Sequence, residues 1–172
     1  MAKVITFSRQ FPAYHPKAGE PTYFVEKIWK YLYVNGECPD LLNSFINDYI
    51  ALNIDVFKGY NNISRKFHTI RSGKRWKAGD MFSPRVWSGK PYNSNMITIA
   101  PDIEIKKVWD FEIDENDTVF INGQVYACTS SFSKLEELAK NDGLTLSDFI
   151  DWLKYPKAFS GQIICWDDKI EY

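Results

Sequence analysis

The chain has 172 residues, enough for one domain that buries a full core without cross-links. Hydrophobic residues make up 45% and charged residues 25%, with aromatics high at 16% and a net charge of −1. Cys38, Cys128 and Cys165 are scattered and unpaired by motif, and the histidines are only His15 and His68, which argues against a disulfide scaffold and a zinc site. We therefore expect neither a metal nor a cofactor. The opening MAKVITFSRQ lacks the apolar core of a signal peptide, and no run of about 18 apolar residues follows, so the expectation is a cytoplasmic protein with no membrane segment.

In chain order, residues 4–7 read as a short strand and residues 8–20 as a loop of turn formers. Pro21 suits the first turn of a helix, where its missing N–H is not needed. Phe24, Ile28 and Leu32, with Val25 and Trp29, recur at helical spacing until Asn35-Gly36 closes the segment. Residues 40–50 predict a second helix with Asp40 as its N-cap. Asn61-Asn62 marks a turn. Strands are expected over 67–71, 81–87, 96–100 and 103–113. Asn122-Gly123, between the apolar runs 118–121 and 124–129, is a strong hairpin signal. Ser133-Lys-Leu-Glu136 reads as a capping box opening a helix to Lys140. Thr145-Leu-Ser-Asp148 opens another, running to Lys154 before Pro156. Residues 162–166 read as the last strand. The pattern predicts an α+β fold, a small barrel with helices packed on it, in a single domain over 1–172.

Charge is distributed unevenly. Residues 58–90 hold nine basic side chains and one acid, Asp80, for a local +8, while the rest of the chain carries −9. Such a segment can hold an anionic ligand locally. Within it, Lys74, Arg75, Lys77, Arg85 and Lys90 interleave with Trp76, Trp87 and Tyr92, and aromatic faces beside cations suit base stacking. Some of these rings are expected in the core. Trp87-Ser-Gly-Lys-Pro-Tyr92 should leave the sheet and expose Lys90 and Tyr92. His15 and Lys17, ahead of the first helix, are weaker candidates for a phosphate contact.

The segment Ser64-Arg-Lys-Phe-His-Thr-Ile-Arg71, followed by Gly79-Asp80, resembles the ASCH family of the PUA-like superfamily. Lys66, Thr69, Arg71 and Gly79-Asp80 match the pattern, and the resemblance extends over roughly 63–166. It implies a PUA-like mixed β-barrel of five to seven strands, with residues 1–60 a helical extension packed on it. Small members are amidohydrolases acting on N-acylated cytidine through lysine, threonine and glutamate. The resemblance places Lys66, Thr69 and Asp142 in those roles, Asp142 being one methylene shorter than the glutamate of those enzymes.

The chemistry these residues need is definite. A threonine hydroxyl attacks only when a base takes its proton. A lysine is such a base only if burial or nearby cations depress its pKa, and Arg65 and Arg71 supply cations. Residues three apart on a strand face opposite sides, so Lys66 and Thr69 converge only if Lys66 sits in the loop entering the strand or a bulge intervenes. The expected ligand is a nucleoside, nucleotide or single-stranded RNA, held by Arg65, His68, Arg71, Arg75, Trp76, Arg85, Trp87, Lys90 and Tyr92. The alternative is a non-catalytic RNA- or protein-interaction module.

Overall fold

Among the described residues, short strands and amphipathic helices follow one another, nine strands and four helices in all. The computed structural model describes residues 2–36, 39–52, 62–128, 131–153 and 158–172. The elements are β1 (Lys3–Thr6), α1 (Phe24–Val34), α2 (Pro39–Ile50), β2 (His68–Ser72), β3 (Met81–Trp87), β4 (Met96–Thr98), β5 (Ile103–Glu104), β6 (Lys107–Ile113), β7 (Val119–Ile121), β8 (Gln124–Ala127), α3 (Phe132–Asn141), α4 (Leu146–Leu153) and β9 (Phe159–Cys165). Cys38, Lys58, Asn61, Thr129 and the expected helix end at 154–156 lie outside the described residues.

The strands form two sheets. In the first, β1 runs parallel to β3, and β4 and β5 pair antiparallel with successive halves of the other edge of β3. In the second, the order is β2-β9-β6-β7-β8, all antiparallel. The β7–β8 turn places Asn122 at φ 50° and Gly123 at φ 75°, the left-handed pair that a two-residue hairpin requires. Phe82, Ile99, Ile105, Phe111, Ile163 and Ile164 are fully buried between the layers. From α1, Ile28 and Trp29 join them, and the Trp29 indole donates to the Ile99 carbonyl at 2.6 Å.

Four details differ from the sequence expectation. The first helix starts at Phe24 rather than Pro21, because Pro21 is held extended in a bridge to Gln10 and Tyr23 takes a left-handed φ of 57°. The third begins at Phe132 with Ser131 before it, so Ser133 lies inside the helix and is not its cap. The run 103–113 is two strands. Ile105 pairs with the 79–80 turn while Lys106 donates to Cys165, so the chain changes sheets at that point. The expected barrel of five to seven strands is instead two sheets, neither closed on itself among the described residues. Where the free edges of β1 and β2 approach, a side chain spans the gap in place of a ladder, with Arg71 Nη2 donating to the Thr6 carbonyl. No helix among the described residues is long and apolar enough to cross a membrane.

Candidate active site

The gap beside Arg71 is a cleft of about 240 Å³. Its polar wall carries Lys66, Thr69, Arg71 and Asp142. Lys66 lies in the loop entering β2, ahead of the first strand residue, which is one of the two arrangements that let it share a wall with Thr69.

Lys66 is held at every polar atom. Its N–H donates to the Lys27 carbonyl at 3.4 Å, and its carbonyl accepts from the Trp166 indole at 3.0 Å. Its ammonium donates to Asp142 Oδ1 at 2.7 Å and also to the Asp142 backbone carbonyl, and it lies 4.0 Å from the centre of the Phe24 ring. The residue is wholly buried. A dry lysine disfavours its charged form, and here burial, set against the Asp142 carboxylate, brings the ammonium down to about 8. Burial likewise raises the Asp142 carboxyl above its usual range, against the pull of Lys66 and Arg71.

The end of α3 builds this contact. Gly143 N–H bonds back to Lys140 and Leu144 N–H to Ala139, the doubled bond of a Schellman stop. Asp142 is the last right-handed residue, and Gly143 follows at φ 79°. A Cβ on Gly143 would lie 3.2 Å from Lys27 Cδ and 3.3 Å from Lys66 Cβ, so glycine is needed for both conformation and space. The helix C-terminus, partly negative, adds its own attraction for the Lys66 cation. Lys27 completes the arrangement, its ammonium donating to Gly143 at 2.6 Å and Thr22 at 2.9 Å. Burial and then the Lys66 charge bring it, too, to about 8.

The remaining expected residues separate into two groups. His68 is fully buried behind the wall, with Nδ1 3.6 Å from Asp142 Oδ1 and neither nitrogen in hydrogen-bond geometry. Burial and the Lys66 charge hold it neutral, well below its ordinary pKa. Arg71 Nε is buried without a partner beside the cleft. Arg65, by contrast, lies over the Phe67 ring, and Arg75, Trp76, Arg85, Trp87, Lys90 and Tyr92 do not line the cleft. Trp76 is a core residue, with Lys3 and Arg75 lying over its ring. Arg85 donates to Ser83 Oγ. Tyr92 is 86% exposed at φ 63°, its ring 5.4 Å from Trp87, in a turn where Ser94 bridges Gly89 and Lys90. Lys17 is paired with the Asp148 carboxylate and buried His15 meets the Asp148 backbone carbonyl, so both are engaged by α4.

The cleft's aromatic lining comes from residues that the sequence did not single out for this role. Tyr14 and Phe24 arrive from the N-terminal region, and Phe149, Trp152 and Phe159 from the C-terminal one. Tyr14 Oη donates to the Trp152 carbonyl at 2.9 Å, joining the 11–20 loop to α4. Only the turn formers around Tyr14 hinted at an exposed loop, and nothing local pairs that loop with a helix 138 positions on.

No group of three histidine, cysteine or acidic side chains among the described residues is placed to hold a metal ion. Fold and site together define an α+β protein with a dry lysine–carboxylate pair at the base of an aromatic cleft. Comparison with known proteins finds no matching family model, curated protein or solved structure.

Proposed function

We propose that the chain is an ASCH-type, PUA-like domain whose cleft binds an N-acylated, cytidine-like nucleoside and hydrolyses its exocyclic amide. One observation carries the reading: Lys66, Thr69 and Asp142, the three residues the family resemblance names, line one aromatic cleft although 76 positions separate the first from the last. The cleft is concave and Asp142 lines it, as an enzyme requires and a flat interaction surface does not. Its volume of about 240 Å³ suits a nucleoside better than a strand.

In this mechanism the neutral Lys66 amine takes the Thr69 hydroxyl proton as the oxygen attacks the amide carbon. The oxyanion forms beside Arg71, whose buried Nε–H has no other partner. The C–N bond then breaks, Lys66 returns its proton to the leaving amine, and an acyl ester remains on Thr69. Water, deprotonated by Lys66, cleaves the ester, giving a carboxylic acid and the free nucleoside. Asp142 holds the lysine in place throughout and sets its pKa. The test is incubation of the purified protein with N-acetylcytidine, following cytidine by chromatography. Release that is abolished in Thr69→Ala supports the reading, and no release from neutral to alkaline pH overturns it.

A second reading rests on the Trp87–Tyr92 pair. Exposed Tyr92 against half-buried Trp87, beside Lys90, offers a stacking platform for single-stranded RNA. On that reading affinity falls steeply with salt, and Lys90→Glu lowers both the affinity and the salt slope.

A further inference from the structure

A second cavity, of about 240 Å³, abuts the reactive cleft. It lies between α3, α4 and the start of β7, with Phe132 and Leu135 from α3 and Ile150 from α4 among its walls. Among the described residues that line it, only Asp117 carries a charge. Phe149 and Leu153 line both cavities, so the groove adjoins the cleft at these two apolar side chains. Phe132 is 60% exposed and Ile150 38% exposed along it. An apolar groove adjoining a reactive centre is suited to a substrate arm that is itself apolar and uncharged.

We propose that this groove is an acyl-chain site, and that the substrates of the cleft carry linear apolar acyl groups of about four to eight carbons. The inference rests on the hydrolytic reading above and specifies its substrate. With the amide carbon at Thr69, the polar wall of Lys66, Arg71 and Asp142 faces the scissile bond. The acyl chain runs past Phe149 and Leu153 and ends near Asp117, at the open rim. The balance is unchanged: N-acyl amine and water give a carboxylic acid and an amine, with the acyl group resting on Thr69 between the two half-reactions. An anionic arm is disfavoured, since the groove offers it no cation and places Asp117 at its end.

The experiment measures binding apart from turnover. Thr69→Ala protein is titrated calorimetrically with N-acetyl-, N-butanoyl-, N-hexanoyl- and N-octanoylcytidine. Each added methylene that enters the groove tightens binding by about fourfold until the groove is full, so octanoyl exceeds acetyl by at least about tenfold. Adding Ile150→Asp brings the octanoyl-to-acetyl ratio close to one, whereas Ile150→Leu keeps it. Equal affinity across the series, no binding of any member, or an unchanged ratio in the Ile150→Asp protein overturns the acyl site. Failure of the hydrolytic reading looks different: chain-length-dependent binding persists, but the wild-type protein releases no cytidine from any member.

Discussion

The Lys66 cleft and the Trp87–Tyr92 surface contain the same chemical elements, cations beside aromatic rings, and use them in opposite ways. In the cleft, Lys66 is dry, paired with Asp142 and 4.0 Å from the Phe24 ring, so its charge is expensive and its pKa moves. On the surface, Lys90 and Tyr92 stand in solvent, where a charge is cheap and a ring costs little to move. Proximity in sequence does not distinguish these cases. What separates them is the end of α3, which brings the carboxylate and the backbone carbonyl of Asp142 onto one lysine and not the other.

The largest effect expected from breaking this contrast is catalytic. Thr69→Ala should lower turnover by at least about 10³-fold with little change in nucleoside affinity, because the hydroxyl acts in the transition state. Steady-state kinetics beside calorimetric binding checks both halves. Next comes stability. Asp142→Ala leaves the Lys66 ammonium buried without its partner and should cost about 3–5 kcal/mol in urea unfolding. The double variant with Lys66→Met should recover part of that loss. Asp142→Glu, which supplies the longer side chain of the resembling enzymes, should retain activity if the carboxylate takes part.

The pH dependence tests the same pair. The base is neutral Lys66, so kcat/KM should rise about tenfold per pH unit below about 8 and level off above it. Asp142→Asn removes the charge that holds the lysine pKa up, so the rise should move to lower pH. Smaller still is Gly143→Ala, at about 1–3 kcal/mol, since it strains a left-handed backbone and presses on Lys66 Cβ. At the other extreme, Tyr92→Ala should change stability by less than about 0.5 kcal/mol and leave hydrolysis at the wild-type rate.

Features set by neighbours in sequence were the legible ones. The Asn122-Gly123 hairpin forms as read, and Thr145 caps α4 with Asp148 in return, at 2.8 and 3.1 Å. Strand parity allowed Lys66 and Thr69 to converge only with Lys66 in the loop entering the strand or with a bulge between them, and the first of these is what forms. The parallel β1–β3 pair, the change of sheet at Ile105 and the Gln10–Pro21 bridge that delays α1 are set by partners far along the chain, and no local pattern reports them. Within the site, Lys66, Thr69, Arg71 and Asp142 were found through the family resemblance, while Lys27 was not. Its side-chain partner Gly143 lies 116 positions away, and on the apolar stripe of α1 it reads as an ordinary flanking lysine. Trp76 illustrates the converse: flanked by Arg75 and Lys77, it resembles a stacking residue by composition, yet its backbone N–H meets Gln162 and its ring fills the core.

The central claim is that Lys66, Thr69 and Asp142 form one hydrolytic unit, and intact-mass spectrometry of the protein mixed with excess N-acetylcytidine tests it most directly. The expected result is a transient acetyl adduct mapped to Thr69, absent in Thr69→Ala and in Lys66→Met, with cytidine released at the rate the adduct forms. Saturable nucleoside binding with neither adduct nor free cytidine, at any pH from 7 to about 9, would contradict it and leave a binding protein with a buried lysine.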